Sequence, residues 1–329
     1  MKRPTGGEIA KFACIIAVAS VAGLASDRMW DAQVTRRERL EIEGRDQGEL
    51  ARMTRKMRTI CVGRFLIDLP EEAKVELREM RIDGFHIVSF EEPEADFRAR
   101  LIQREARLRD TPDRLGGKNH LESVRDVKTE NGVVGKMFVH GRTVKEGTRL
   151  RGPELENYRF EGIAVEALVH AEGMSFEVVA DKYDPDLIEN LPRLLAKLVP
   201  NRGDRPPTGP GYCVYHAWFR DPLTADQNER LMMHAEFPTH PDIDFRLDVM
   251  AGARPQGPGL LARIAEGYTS RSHAEEHGLF RLRAAPRTIA GIAGEEVVDE
   301  FDRLNNVFVQ HFRWEVPGTA DNVLIPSFT

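Results

Sequence analysis

The chain has 329 residues, 41% hydrophobic and 30% charged, so it can bury a core and exceeds the usual length of one domain. Its 47 basic and 53 acidic residues give a net charge of -6, which argues against nucleic-acid binding because such proteins carry clustered positive charge. Three cysteines without a CxxC pair exclude a disulfide scaffold and give no support to a zinc cofactor. We therefore expect a globular protein of two domains with no cofactor.

The N-terminus has the pattern of an export signal. Three basic residues among the first eleven precede an uncharged apolar run from Phe12 to Ala25, which is shorter than the roughly 20 residues that span a bilayer. Residues 1–26 are predicted to be a signal peptide, with an uncleaved inner-membrane anchor as the alternative because arginines follow closely. Residues 27–57 mix charges of both signs and predict a solvated tether or helix.

A weak internal duplication organises the rest of the chain. Cys61–Leu66 and Cys213–Trp218 share the pattern Cys-Val-x-x-x-apolar, which predicts a strand at the start of each half. Ile82–Ile87 and Ile243–Leu247 alternate as half-buried strands do. Three further kinds of element follow in the same order in both halves: helices at Ala95–Arg109 and Leu260–Tyr268, glycine turns at Gly132–Lys136 and Gly291–Glu295, and strands at Glu161–Val169 and Val307–Val316.

The duplication predicts an α+β fold with two related domains, each an antiparallel sheet carrying one or two helices. Residues 201–211 are rich in proline and glycine and predict a linker between an N-terminal domain, 58–200, and a C-terminal domain, 212–329. The first half closes with a predicted helix at Pro185–Leu198. The second half reaches Thr329 where its last strand and helix should begin, so the second domain is expected to be incomplete.

Catalytic motifs are scarce. No nucleophile elbow, P-loop or dinucleotide-binding glycine motif occurs. His273, Glu276 and His277 fit the pattern H-x-x-E-H and raise the hypothesis of a metal-dependent hydrolase. Gly278 ends that pattern at once and the preceding residues are poor helix formers, which favours a solvated polar turn. We expect no catalytic, cofactor-binding or metal-binding residue.

The two cysteines at the starts of the two halves allow two interpretations. Cys61 and Cys213 are either buried thiols or a disulfide, which an exported protein can form. We favour the thiols, because a bridge requires Cα atoms within about 7 Å and no local feature ensures that. His234 and His240 are interpreted as loop or strand-edge residues.

Four widely separated segments resemble a known family. They are Thr59–Pro70, Ile82–Phe85, Gly211–Val214 and Phe312–Gly318, and they resemble the type VI secretion immunity proteins cognate to the fourth class of lipase effectors. The resemblance covers nearly everything from residue 57 onward and includes both family domains. It also implies a further strand and helix after the Pro-Gly segment.

The resemblance implies a periplasmic protein that is not an enzyme. Its partner would be a cognate phospholipase effector, whose lid and active-site access the two domains would block like a claw. No partner-binding residue can be transferred, and membrane contact would come only through an uncleaved leader. The alternatives are the hydrolase above and a structural envelope protein.

Overall fold

The computed structural model describes residues 48–112, 121–152, 154–203, 205–221, 228–251, 258–267, 279–303, 307–317 and 324–328. Residues 48–53 are helical and mostly exposed, and a strand-rich body begins at Arg58. None of the described helices is both long and apolar enough to cross a membrane. The predicted signal peptide lies outside the described residues.

Among the described residues, the first half contains nine strands and two helices. The strands are β1 Met57–Val62, β2 Phe65–Pro70, β3 Lys74–Ile82, β4 Phe85–Glu91, β5 Leu121–Lys128, β6 Val134–Arg151, β7 Glu154–Ala171, β8 Met174–Tyr183 and β9 Leu198–Pro200. Helix α1 is Glu94–Asp110 and helix α2 is Asn190–Leu195, the latter preceded by a 3-10 turn, Pro185–Leu187. The Asp184 carboxylate caps this turn by accepting from the Asp186 backbone N–H at 2.9 Å.

The second half repeats the order of these elements. Its strands are β10 Gly211–Val214, β11 Ala217–Arg220, β12 Glu229–Glu236, β13 Asp244–Ala251, β14 Leu279–Ile289, β15 Ile292–Arg303, β16 Val307–Glu315 and β17 Leu324–Phe328. Helix α3, Leu260–Gly267, follows β13 as α1 follows β4.

One antiparallel sheet of twelve strands runs through both halves in the order β14-β15-β16-β17-β13-β12-β3-β4-β8-β7-β6-β5. Outward from its centre, β3-β4-β8-β7-β6-β5 mirrors β12-β13-β17-β16-β15-β14, so the duplication and the α+β class are confirmed. At the centre, β3 pairs antiparallel with β12, with Leu77 opposite Met233 and Val75 opposite Ala235. The two predicted sheets are therefore joined edge to edge.

Three local predictions are wrong. Cys61–Leu66 and Cys213–Trp218 are hairpins rather than single strands, because each contains a two-residue turn between β1 and β2 or between β10 and β11. Ile82–Ile87 is also a hairpin, since Asp83 and Gly84 have φ of 52° and 82°, as a tight type I′ turn requires. The alternation of apolar residues continues through such short turns and conceals them.

The last strand of the second half is present, contrary to our expectation. β17 pairs with β13 over five residues and with β16 at two positions, which is the place that β8 takes between β4 and β7. The sequence gives little sign of this strand, because Leu324–Phe328 contains an internal proline, which weakens a strand pattern.

Helices α1 and α3 pack on the sheet at corresponding places. Phe97 and Leu108 of α1 contact Phe138 and Leu168 on β6 and β7. In the second half, Leu260 and Ile264 of α3 contact Val297 on β15. Burial of these side chains contributes about 1.5–3 kcal/mol each and fixes both helices to the sheet.

Candidate functional site

The described residues include no group of three His, Cys, Asp or Glu side chains placed to hold a metal ion. His273, Glu276 and His277 lie outside the described residues, so the structure does not test the hydrolase hypothesis. His234 lies on β12 beside the carboxylate of Asp244, and His240 contacts Thr239 at 2.8 Å. Within the part of the chain that the structure describes, neither histidine belongs to a group that could hold a metal ion.

A disulfide and a pair of backbone hydrogen bonds join the two halves outside the main sheet. Cys61 and Cys213 form a disulfide with Cα atoms 5.8 Å apart, so our preference for free thiols was wrong. Gly63 and Cys213 exchange N–H to carbonyl bonds of 3.2 and 2.7 Å, which brings the two hairpins within bonding distance. A Cβ at Gly63 would lie 3.3 Å from the Tyr212 ring, and φ there is 56°, so glycine suits this close approach.

An ion-pair network strengthens the same junction. The Arg64 guanidinium donates to both oxygens of Glu229, at 2.7 and 2.6 Å, and to Asp221 at 3.0 Å. Glu229 is buried, and this burial, aided by the nearby Asp221 carboxylate, raises its pKa despite the bonds from Arg64. The same bonds raise the pKa of Arg64, so the guanidinium stays charged. Arg64 therefore links the first half to β12 of the second.

The buried charges beneath α1 are also structural. Arg104 donates to both oxygens of the buried Glu166 at 2.7 and 2.6 Å, and Arg100 bridges Glu92 at 2.8 Å and Glu177 at 2.5 Å. Burial opposes ionisation of Glu166, yet the neighbouring His140 and the Arg104 guanidinium lower its pKa below the usual value. These carboxylates hold α1 on the sheet and are too well paired to act as general bases.

Buried charge recurs in the second half. The Asp299 carboxylate accepts from Arg281 at 2.5 Å and from Arg313 at 3.1 Å. Glu296 contacts Arg287 at 3.1 Å and also pairs with Arg283. Both halves thus use arginines to satisfy acidic side chains within the sheet, which leaves these carboxylates no catalytic freedom.

A projecting ribbon is the most exposed apolar feature of the first half. We call residues 143–161 the arm; it is the distal part of the β6–β7 hairpin, and at about 3.4 Å per residue it extends about 30 Å. β5 pairs with β6 only as far as His140, and β8 pairs with β7 only as far as Ile163. Among the described strands, nothing pairs with either edge of the arm.

The base of the arm is a β-bulge. The register shifts between His140 and Thr143, and Gly141 has φ of 64°, a conformation that favours glycine. Arg142 donates to Glu122 at 2.8 Å and also binds Glu161, which ties the base to β5 and to the opposite strand. The bulge therefore sets the direction in which the arm leaves the sheet.

Leucines form the tip of the arm. Leu150 and Leu155 face each other across the ribbon, and each is 73% exposed. On the opposite side, Tyr158 lies over Gly147 and Phe160 is also exposed. The exposed leucine pair, together with the exposed aromatic side chains of the same ribbon, makes the arm a candidate surface for contact with another molecule.

Comparison with protein families assigns segments of both halves of the body. The N-terminal domain profile of Tle cognate immunity protein 4 matches residues 58–151, and the C-terminal domain profile matches residues 205–329. The chain belongs to the Tle cognate immunity protein 4 family. It is accordingly an immunity protein and not an enzyme, as the resemblance predicts. No curated protein sequence matches the chain.

Solved structures share the fold of this immunity protein. The structure described as the Tle4-Tli4 complex aligns with a TM-score of 0.63 at 20% identity and covers 84% of this chain and 86% of that one. Apo TplEi, a type VI secretion system immunity protein of Pseudomonas aeruginosa, aligns with a TM-score of 0.61 at 21% identity, covering 83% and 86%. The same protein in complex with a peptide named "L" aligns with a TM-score of 0.59 at 20% identity, with the same coverage.

Sequence reasoning identified the cysteine pair as candidates but missed the arm and the Arg64 network. A signal for the arm was present, since Leu150 and Leu155 flank a Gly-Pro dipeptide, which is typical of a turn. For Arg64 no signal exists, because its partners Asp221 and Glu229 lie more than 150 residues away.

Proposed function

We propose that this chain binds a phospholipase effector of a type VI secretion system in the periplasm and blocks access to its active site. The observation that carries the proposal is the family match, which extends over both halves. The Tle4-Tli4 complex, in which a protein of the same fold is bound to another protein, supports effector binding.

The junction supports an exported location. The Cys61–Cys213 disulfide crosses between the halves, and disulfides persist in oxidising compartments such as the periplasm. The apolar run Phe12–Ala25 supplies the export pattern. A periplasmic immunity protein meets an incoming effector before the effector reaches its lipid.

The extended sheet favours inhibition by surface contact. The cavity beside the disulfide, about 100 Å³, has room for only a few water molecules, and the larger cavities beside β12 and α2, about 360 and 560 Å³, are open to solvent. An inhibitor instead needs about 800 Å² of complementary surface on each partner. The twelve-stranded sheet and the arm supply such an extended surface.

Two measurements test the proposal. The partner to use is the phospholipase encoded beside the gene for this chain. Cells that express this lipase in the periplasm should survive when they also make the full chain and should die when they make a leaderless version. A lipase lacking its catalytic serine should be harmless in both kinds of cell. Protein purified from the periplasm should form a 1:1 complex with the lipase and inhibit its hydrolysis of phospholipid vesicles. Absence of a complex would refute effector binding, whereas a complex that remains active would refute the blocking mechanism.

A further inference from the structure

The arm is an addition to a fold that does not need it. The β15–β16 hairpin of the second half occupies the corresponding place with strands of 12 and 9 residues, whereas β6 and β7 have 18 each. The described part of the second half therefore shows that the sheet forms around a shorter hairpin. A two-stranded ribbon with free edges is marginally stable in water, so its retention calls for a use.

Ion pairs within the arm involve most of its charged side chains. It contains four basic and four acidic side chains. Arg149 pairs with Glu156 at 3.2 Å, and Arg159 pairs with Glu146 on the other face. Because these charged side chains pair with one another within the arm, its leucines and aromatic side chains are the groups best able to contact a partner.

We propose that the arm inserts its Leu150–Leu155 tip into the apolar surface that surrounds the active-site entrance of the phospholipase effector. This inference rests on the proposed function and identifies the element that performs the blocking. A phospholipase must present an apolar surface wherever acyl chains enter, and a cross-strand leucine pair on a narrow ribbon is complementary to such a cleft.

Charge disfavours a lipid surface as the occupant. Anionic membranes attract basic segments, at about 1 kcal/mol per Lys or Arg, whereas the arm is balanced and the chain has a net charge of -6. The tip also contains only two leucines, and membrane-bound segments usually bury a longer apolar face. A protein cleft is therefore the better match.

The first experiment measures affinity. The double variant Leu150→Asp/Leu155→Asp should raise the Kd for the neighbouring phospholipase by at least about 100-fold, since charges would replace apolar contacts at the centre of the interface. Ile102→Asp is the matched control, because Ile102 is 72% exposed on α1 of the same half. The control should change the Kd by less than about threefold, and both variants should keep the wild-type melting temperature.

A second variant removes most of the arm, including its tip. Joining Lys145 to Phe160, which are paired across the ribbon, through Asn-Gly should give a folded protein with a hairpin closer in length to β15–β16. This variant should retain its disulfide and its melting temperature while losing inhibition of the lipase. If it inhibits as strongly as wild type, the arm does not block the active site.

A fluorescence measurement identifies the occupant. In Leu155→Trp, the tip tryptophan should emit at shorter wavelength when the lipase is added and should be unchanged by vesicles of phosphatidylethanolamine and phosphatidylglycerol. A shift with vesicles alone would overturn the proposal in favour of a membrane. If wild type binds the lipase and the double aspartate variant binds equally well, the arm proposal fails and the proposed function stands. If wild type does not bind, both fail.

Discussion

Replacement of Arg64 by methionine should destabilise the protein in a pH-dependent way. Arg64 supplies two hydrogen bonds to the carboxylate of Glu229, whose side chain is 2% exposed. Methionine fills a similar volume but leaves that carboxylate buried without its charged partner. Glu229 must then either remain ionised in an apolar site or take up a proton that it releases on unfolding.

The cost of protonation sets the magnitude. With an unfolded pKa of about 4.3, holding Glu229 neutral costs about 1.36 kcal/mol for each pH unit above that value, or about 4 kcal/mol at pH 7.5 and about 1.6 at pH 5.5. This agrees with the 3–5 kcal/mol typical of breaking a buried ion pair. Burial already raises the pKa of Glu229 in the folded protein. Its contribution to the free energy of unfolding is therefore fully present at low pH and is lost as the pH rises through the folded pKa.

Urea unfolding followed by circular dichroism at pH 7.5 and 5.5 measures both values. Arg64→Met should lose about 4 kcal/mol at the higher pH and recover more than half of it at the lower. Adding Glu229→Gln should abolish the pH dependence, and Arg202→Met, which breaks an exposed pair with Glu91, should cost less than about 0.5 kcal/mol. A loss below 1 kcal/mol, or an equal loss at both pH values, would refute the reasoning.

Two further perturbations test the junction and the sheet. Cys213→Ser removes the disulfide that closes a loop with a sequence separation of 152, and chain entropy predicts that the free energy of unfolding falls by up to about 5 kcal/mol. If the variant and the wild type unfold at the same urea concentration under oxidising as well as reducing conditions, the prediction is contradicted. Gly135→Ala should destabilise by at least about 2 kcal/mol, because its Cβ would lie 2.1 Å from the Leu168 carbonyl oxygen on the neighbouring strand. Gly48→Ala, with no atom within 4 Å, is the matched control and should be neutral or slightly stabilising, so equal melting temperatures for the two variants would show that the close approach is not limiting.

Local patterns in the sequence were sufficient for the elements that depend on local physics. The helices at Ala95–Arg109 and Leu260–Tyr268 were predicted within one residue at each end, because apolar spacing marks both locally and acidic first-turn residues also mark the first. The shared order of elements in the two halves also predicted the duplicated topology. Short hairpins were missed at Cys61–Leu66 and Ile82–Ile87, where two-residue turns leave the alternation intact.

The long-range features could not be predicted from local patterns. The pairing of β3 with β12 joins residues about 150 positions apart, and strand propensity does not specify a partner at that distance. The Cys61–Cys213 bridge depends on the same juxtaposition, which with the neighbouring Gly63–Cys213 hydrogen bonds places the two Cα atoms 5.8 Å apart. The domain limits 58–200 and 212–329 stay predictions, and so does the absence of a final helix from the second domain.

The pairing of β3 with β12 has a consequence for the history of the molecule. These two strands are equivalent members of the repeat, and they meet antiparallel, as two copies of one strand meet across a dyad. A single half would leave this strand as an open edge, which attracts another copy of itself. The present chain is thus organised like a homodimer whose subunits became fused, and fusion freed each half to diverge, so that one alone could acquire the arm.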